Sequence, residues 1–147
     1  VVFQSLPLNN KTISMKVSVY YEEVSNYVEK HYLVRPSIKQ VDDKTLSIEY
    51  TPHKFIPAIS VAVRIEAMRK DVICMSYECS KAISLLISGA IAHIEKKIPQ
   101  GIEIDTDSKR INVYPENVTK LKNVLAYLSL SGVHFSESGM EITLDMN

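Results

Sequence analysis

Tryptophan is absent from this 147-residue chain, glycine occurs four times and cysteine twice. The glycines stand alone, as Gly89, Gly101, Gly132 and Gly139. That excludes collagen-like and glycine-rich classes and leaves no glycine-rich loop to cradle a phosphate. Charge of one sign is lacking too: 17 Lys+Arg face 17 Asp+Glu. Such a balance supplies neither the basic field that nucleic-acid binders use nor a pull toward anionic membranes, so no nucleic-acid partner is expected. No run approaches the ~20 apolar residues that cross a bilayer; the uncharged segment Ala82–Ala92 is about half that length. The first residues, VVFQSLPLNNKTIS, lack a basic cluster followed by an apolar core, so no signal peptide is expected. Cys74 and Cys79, if joined by extended chain, lie about 16 Å apart at ~3.3 Å per residue, against the roughly 7 Å limit for a disulfide. Two free thiols and no leader lean toward a reducing, cytoplasmic compartment.

What is present is a dense apolar fraction, 46%, with 23% charged residues, which suits one folded domain of ~100–150 residues and no disordered tail. Ile13, Met15, Val17 and Val19 alternate with polar residues, the period of a half-buried strand. Tyr21, Val24, Val28 and His31 then recur at helical spacing, with Ser18 as the expected cap and Pro36 as the limit. A hairpin is expected from Ile38–Val41 and Thr45–Tyr50 across the turn DDK. A longer one is expected from Ile59–Met68 and Ile73–Tyr77 across RKD.

Ser80 is the expected cap of a second helix running to Lys97, whose first three turns are apolar nearly all round. Such a helix needs cover on more than one side, and Gly89 within it implies close packing or a ligand contact. Ile102 and Ile104 pair with Ile111 and Val113 in a short hairpin. Pro115 opens a third helix carrying Val118, Leu121, Val124, Leu125 and Leu128, ended by Gly132. Val133 and Phe135 then face Met140, Ile142, Leu144 and Met146 in a final hairpin. The expected fold is a single α+β domain over residues 1–147: a curved antiparallel sheet built of hairpins, with three helices and the central apolar one in the sheet's concavity.

Chemistry-bearing motifs are few. Asp105, Asp107 and Glu116 fall in a calcium-loop register, but Lys109 and Arg110 occupy the fifth position and the glycine position, so a polar hairpin turn is expected instead. His31, His53, His93 and His134 show no metal-ligand spacing with one another or with cysteine, and no G-x-S-x-G elbow occurs. No metal, cofactor or catalytic residue is assigned. The eight tyrosines fall mostly on apolar faces and read as packing residues.

From Phe55 to Asn147 the order of elements is long hairpin, apolar helix (KAISLLISGAIAHIEKK), short hairpin, helix and final hairpin. This order resembles one repeat of tubular lipid-binding (TULIP-like) domains. The resemblance implies an apolar groove between sheet and central helix, lined by Val63, Ile65, Met75, Leu86, Ile87, Ala90, Ile91 and Ile94. The expected function is then a non-catalytic carrier of a small apolar or lipid-like ligand, held by burial at ~0.8 kcal/mol per methylene. The alternative is a protein-interaction module with a filled core, most simply a homodimer.

Overall fold

The computed structural model describes residues 2–6, 14–51, 58–94, 98–117 and 127–146. Two antiparallel sheets carry the fold. The first pairs β1 (Val2–Leu6), β2 (Ser14–Tyr20), β10 (Gly139–Met146) and β9 (Leu128–Phe135), in that order. The second runs β3 (Ser37–Asp42), β4 (Thr45–Tyr50), β5 (Ile59–Met68), β6 (Ile73–Glu78), β8 (Arg110–Val113), β7 (Ile102–Asp105). Helix α1 (Tyr21–Tyr32) follows β2 directly, and α2 (Lys81–Ile94) follows β6.

The period-two segments form strands because one face of each enters a shared core. Val17, Val63, Ile65, Ile73, Val133, Phe135, Ile142 and Leu144 are all buried in one cluster that draws on both sheets. The strand β9, at the edge of the first sheet, is stitched to turns of the second. The Phe135 N–H donates to the Asp43 carbonyl at 2.7 Å and the Leu130 N–H to the Lys70 carbonyl at 3.2 Å. Lys44 Nζ donates to the Val133 carbonyl at 2.7 Å, and Gln40 Nε2 to that of Phe135 at 2.9 Å.

Helix α1 turns Tyr21 and Ser25 inward and ends at Leu33, whose φ of 60° gives a left-handed C-cap. Ser18 does not cap it. The cap position is Tyr20, with no side-chain hydrogen bond, while Ser18 stays in β2 and donates to Glu141 at 2.6 Å. Ser80 does cap α2, its Oγ accepting from the Ile83 N–H at 3.3 Å.

Among the described residues there are two α-helices, not three. The third expected helix opens as a single 3-10 turn at Pro115–Asn117, and residues 118–126, on which most of it falls, lie outside the described residues. Leu128 and Gly132 are corrected outright, for both belong to strand β9. Strand β1 was not foreseen. The Asp105–Arg110 segment is a hairpin turn, Asp105 Oδ1 accepting from the Asp107 and Ser108 N–H groups at 3.0 and 3.2 Å. Those bonds hold the Asp105 carboxyl below its ordinary range, the Ser108 backbone contributing most.

Candidate functional site

Helix α2 carries no charge between Lys81 and His93. Its two flanks meet different surroundings. Ile83, Ser84, Ile87, Ser88 and Ile91, at i, i+4 and i+8 spacing, are half-buried, and Ile87 packs against the core. On the outer flank Leu85 is 69% exposed and Leu86 59%, with Ala82, Gly89 and Ala90 exposed beside them. The expectation that this helix is covered on more than one side is therefore corrected among the described residues: one flank is half-buried and the other is open. Two adjacent leucines in water are costly, since each would recover roughly 1.5–3 kcal/mol on full burial.

Gly89 does not make the close contact expected of it. A Cβ placed there meets nothing within 4 Å. Glycine inside a helix costs up to about 1 kcal/mol relative to alanine, so Gly89→Ala is expected to stabilise the fold by close to that amount. For a chain of this size that is a rise of roughly 2–4 °C in Tm, measured by thermal unfolding followed by circular dichroism.

At the foot of α2 lies an open groove of about 520 Å³. The helix contributes Ser88, Ile91 and Ala92; the opposite wall is Ile98, Pro99 and Gln100 with the β7 residues Ile102, Glu103 and Ile104. The eight residues expected to line a cavity thus fall in three places. Val63 and Ile65 are core, with Met75 and Ile87 packed against it. Leu86 and Ala90 lie on the outer flank of α2, and Ile91 lines the groove, alone among those of the eight whose side chains are described. Ile94 closes α2, and its side chain is outside the described residues. The groove's other wall was missed in the sequence, where Ile98–Gln100 read as the end of a helix.

Polar side chains gather elsewhere. On the first sheet the buried Glu141 accepts from Ser18 Oγ at 2.6 Å and Ser136 Oγ at 3.4 Å, and pairs with Lys16 Nζ at 3.3 Å. Next to it Ser14 Oγ donates to Asp145 at 2.8 Å. This network ties β2 to β10 and opens into none of the described grooves. Tyr77 Oη is buried without a hydrogen-bond partner among the described residues, and burial first, then the nearby Cys79 and Asp105, raises its pKa above 10.0. His31 stacks on Tyr27 with ring centroids 4.1 Å apart; His93 and His134 are exposed on separate elements, and His53 is outside the described residues. No three His, Cys, Asp or Glu side chains among the described residues converge as a metal site. Cys74 and Cys79 are both free thiols. No helix among the described residues is long and apolar enough to cross a membrane.

Comparison with known protein families, with curated proteins and with solved structures finds no match for this chain.

Proposed function

We propose that this chain is a non-catalytic protein-interaction module that buries the outer flank of α2 against another protein surface, most simply a second copy of itself. The observation that carries the reading is the exposure of Leu85 and Leu86 at 69% and 59% on a helix whose other flank is half-buried, with Ile87 packed against the core. Apolar patches of this kind, on an otherwise mixed surface, mark docking sites in soluble proteins. Helical faces bearing small residues beside leucines also allow close approach of a partner, and Ala82, Gly89 and Ala90 provide that here.

Light scattering over a range of concentrations tests the reading. The wild-type mass is expected to rise with concentration, and Leu85→Ser/Leu86→Ser to hold it at 16.6 kDa. Both positions are exposed, so Tm is expected to stay within about 3 °C, the scale of a surface substitution. A mass that never changes with concentration, in wild type and variant alike, counts against a second copy.

A second reading, a carrier of an apolar or lipid-like ligand, is favoured by the groove of about 520 Å³ and its isoleucines. That volume falls within the ~300–1,000 Å³ range of ligand pockets. Native mass spectrometry separates the two readings, because a carrier retains a lipid adduct on the monomer.

A further inference from the structure

Strand β7 ends the six-stranded sheet, and its backbone decides what the adjoining groove can take. The Tyr114 N–H donates to the Gly101 carbonyl at 2.7 Å, so Gly101 and Tyr114 form a hydrogen-bonded pair. Antiparallel pairs alternate between bonded and non-bonded, and the register runs on as Ile102↔Val113, Glu103↔Asn112, Ile104↔Ile111 and Asp105↔Arg110. Glu103 and Asp105 therefore spend their backbone groups on β8, while Ile102 and Ile104 point theirs away from the sheet. The Ile102 N–H confirms this direction, since it donates to the Pro99 carbonyl at 3.3 Å. Among the described residues, that leaves the carbonyl of Ile102 and both backbone groups of Ile104 on the outer edge of the sheet, in residues that also line the groove. Two of the other three edges are guarded: β3 has a register irregularity between Gln40 and Asp42 and an exposed Lys39, and β9 is tied to the turns of the other sheet; β1 is the third. Residues Ile102–Asp105 contain no lysine, proline or bulge; what guards this edge is its four-residue length and the negative charge of Glu103 and Asp105, a charge that a basic guest would neutralise.

Side chains of β7 sort by the pleat. Ile102 and Ile104 are half-buried, whereas Glu103 and Asp105 are exposed on the opposite face, with Asp107 in the turn beyond. We infer that this groove accepts an extended peptide segment that adds a strand to β7, with apolar residues alternating with basic ones. Hydrogen bonds to Ile102 and Ile104 would supply the pairing. An apolar guest residue opposite Ile104 faces the Ile91 side of the groove, and lysines or arginines on either side of it stand across from Glu103 and Asp105. Those guest positions are non-bonded pairs, in which facing side chains come closest. A second β7 from another copy is a poor guest, because antiparallel pairing centred on Ile104 sets Glu103 against Asp105. The inference goes beyond the α2 reading and stands independently of it.

The test is fluorescence anisotropy of the full chain with a labelled seven-residue peptide of alternating valine and lysine. Saturable one-to-one binding that weakens with salt is expected. N-methylating the guest residue that pairs with Ile104, which removes its N–H, is expected to weaken binding at least tenfold. Glu103→Lys, at an exposed position, is expected to weaken it about fivefold. Leu85→Ser/Leu86→Ser is expected to leave it unchanged, which separates this site from the outer flank of α2. Equal binding of an alternating valine–glutamate peptide, indifference to N-methylation, or no saturation would overturn the inference. So would failure of the peptide to bind where added palmitate binds and raises the Tm, which would instead favour the carrier reading.

Discussion

Phe135→Ala is expected to cost about 3–5 kcal/mol, the range for truncating a buried phenylalanine. The ring is 2% exposed, and its cluster contains residues of both sheets, among them Val63 and Ile65 from β5 and Ile142 and Leu144 from β10. The backbone around it is committed as well. The Phe135 N–H and carbonyl both bond to the β3–β4 region, at 2.7 Å to Asp43 and 2.9 Å from Gln40. Collapse of the surroundings into the vacated space would require the two sheets to shift together, so the cavity term is expected to remain large. A loss of this size is a substantial part of the ~5–15 kcal/mol that holds a typical domain folded. Urea denaturation should show a fall in midpoint with little change in slope. A cost below about 1 kcal/mol would mean that the sheets do not share a core at this ring.

Much of the architecture was legible because burial of one strand face writes a period of two into the sequence. Ile59–Met68 and Ile73–Glu78 show it plainly, and they pair antiparallel. The Val133–Phe135 end of strand β9 was legible as part of the final hairpin, but Leu128–Gly132 hid from that reading for a definite reason. Thr143 pairs with Gly132 but Leu144 pairs with Leu130, so Ser131 is an extra residue and the inward positions run Leu130, Val133, Phe135. A bulge of this kind breaks the alternation, and Leu128 was left matching the helical spacing set by Leu121 and Leu125. Strand β1 has no clean alternation in VFQSL and is a strand because it pairs with β2. Ser18 illustrates the opposite failure: serine favours helix caps, yet here a long-range bond to Glu141 keeps it in β2.

The candidate site was legible only in part. That α2 is greasy around its circumference is visible in Ala82–Ala92, but which flank is covered depends on where β6 delivers the helix onto the core. Leu86 and Ile87 are chemically alike and adjacent, yet one is 59% exposed and the other packs inward. The groove depends on β7 being last in its sheet, a fact of strand order that no local pattern encodes. Ile102 and Ile104 were readable as strand residues; that they line one groove with Ile91 was not.

Glu141→Gln is expected to cost about 2 kcal/mol at neutral pH, since it turns hydrogen bonds to a charged acceptor into neutral ones. The side chain of Glu141 is 10% exposed and that of Lys16 34%, so the pair is screened far less than a surface ion pair. Burial by itself would raise the carboxyl's pKa. The Ser18 hydrogen bond, the hydrogen bond and charge of Lys16, and the charge of His134 outweigh it and hold the group below its ordinary 4.5. A folded carboxyl with a depressed pKa adds stability that is complete above the unfolded value and is lost as pH falls through the folded one. The advantage of wild type over Glu141→Gln should therefore hold steady from pH 7 down to about 4.5 and shrink below it. Chemical denaturation of both proteins at intervals between pH 7 and pH 2 would follow that gap. A difference that stays constant into strong acid would show that glutamine is penalised for its shape, and that the charge on Glu141 does not bind β2 to β10.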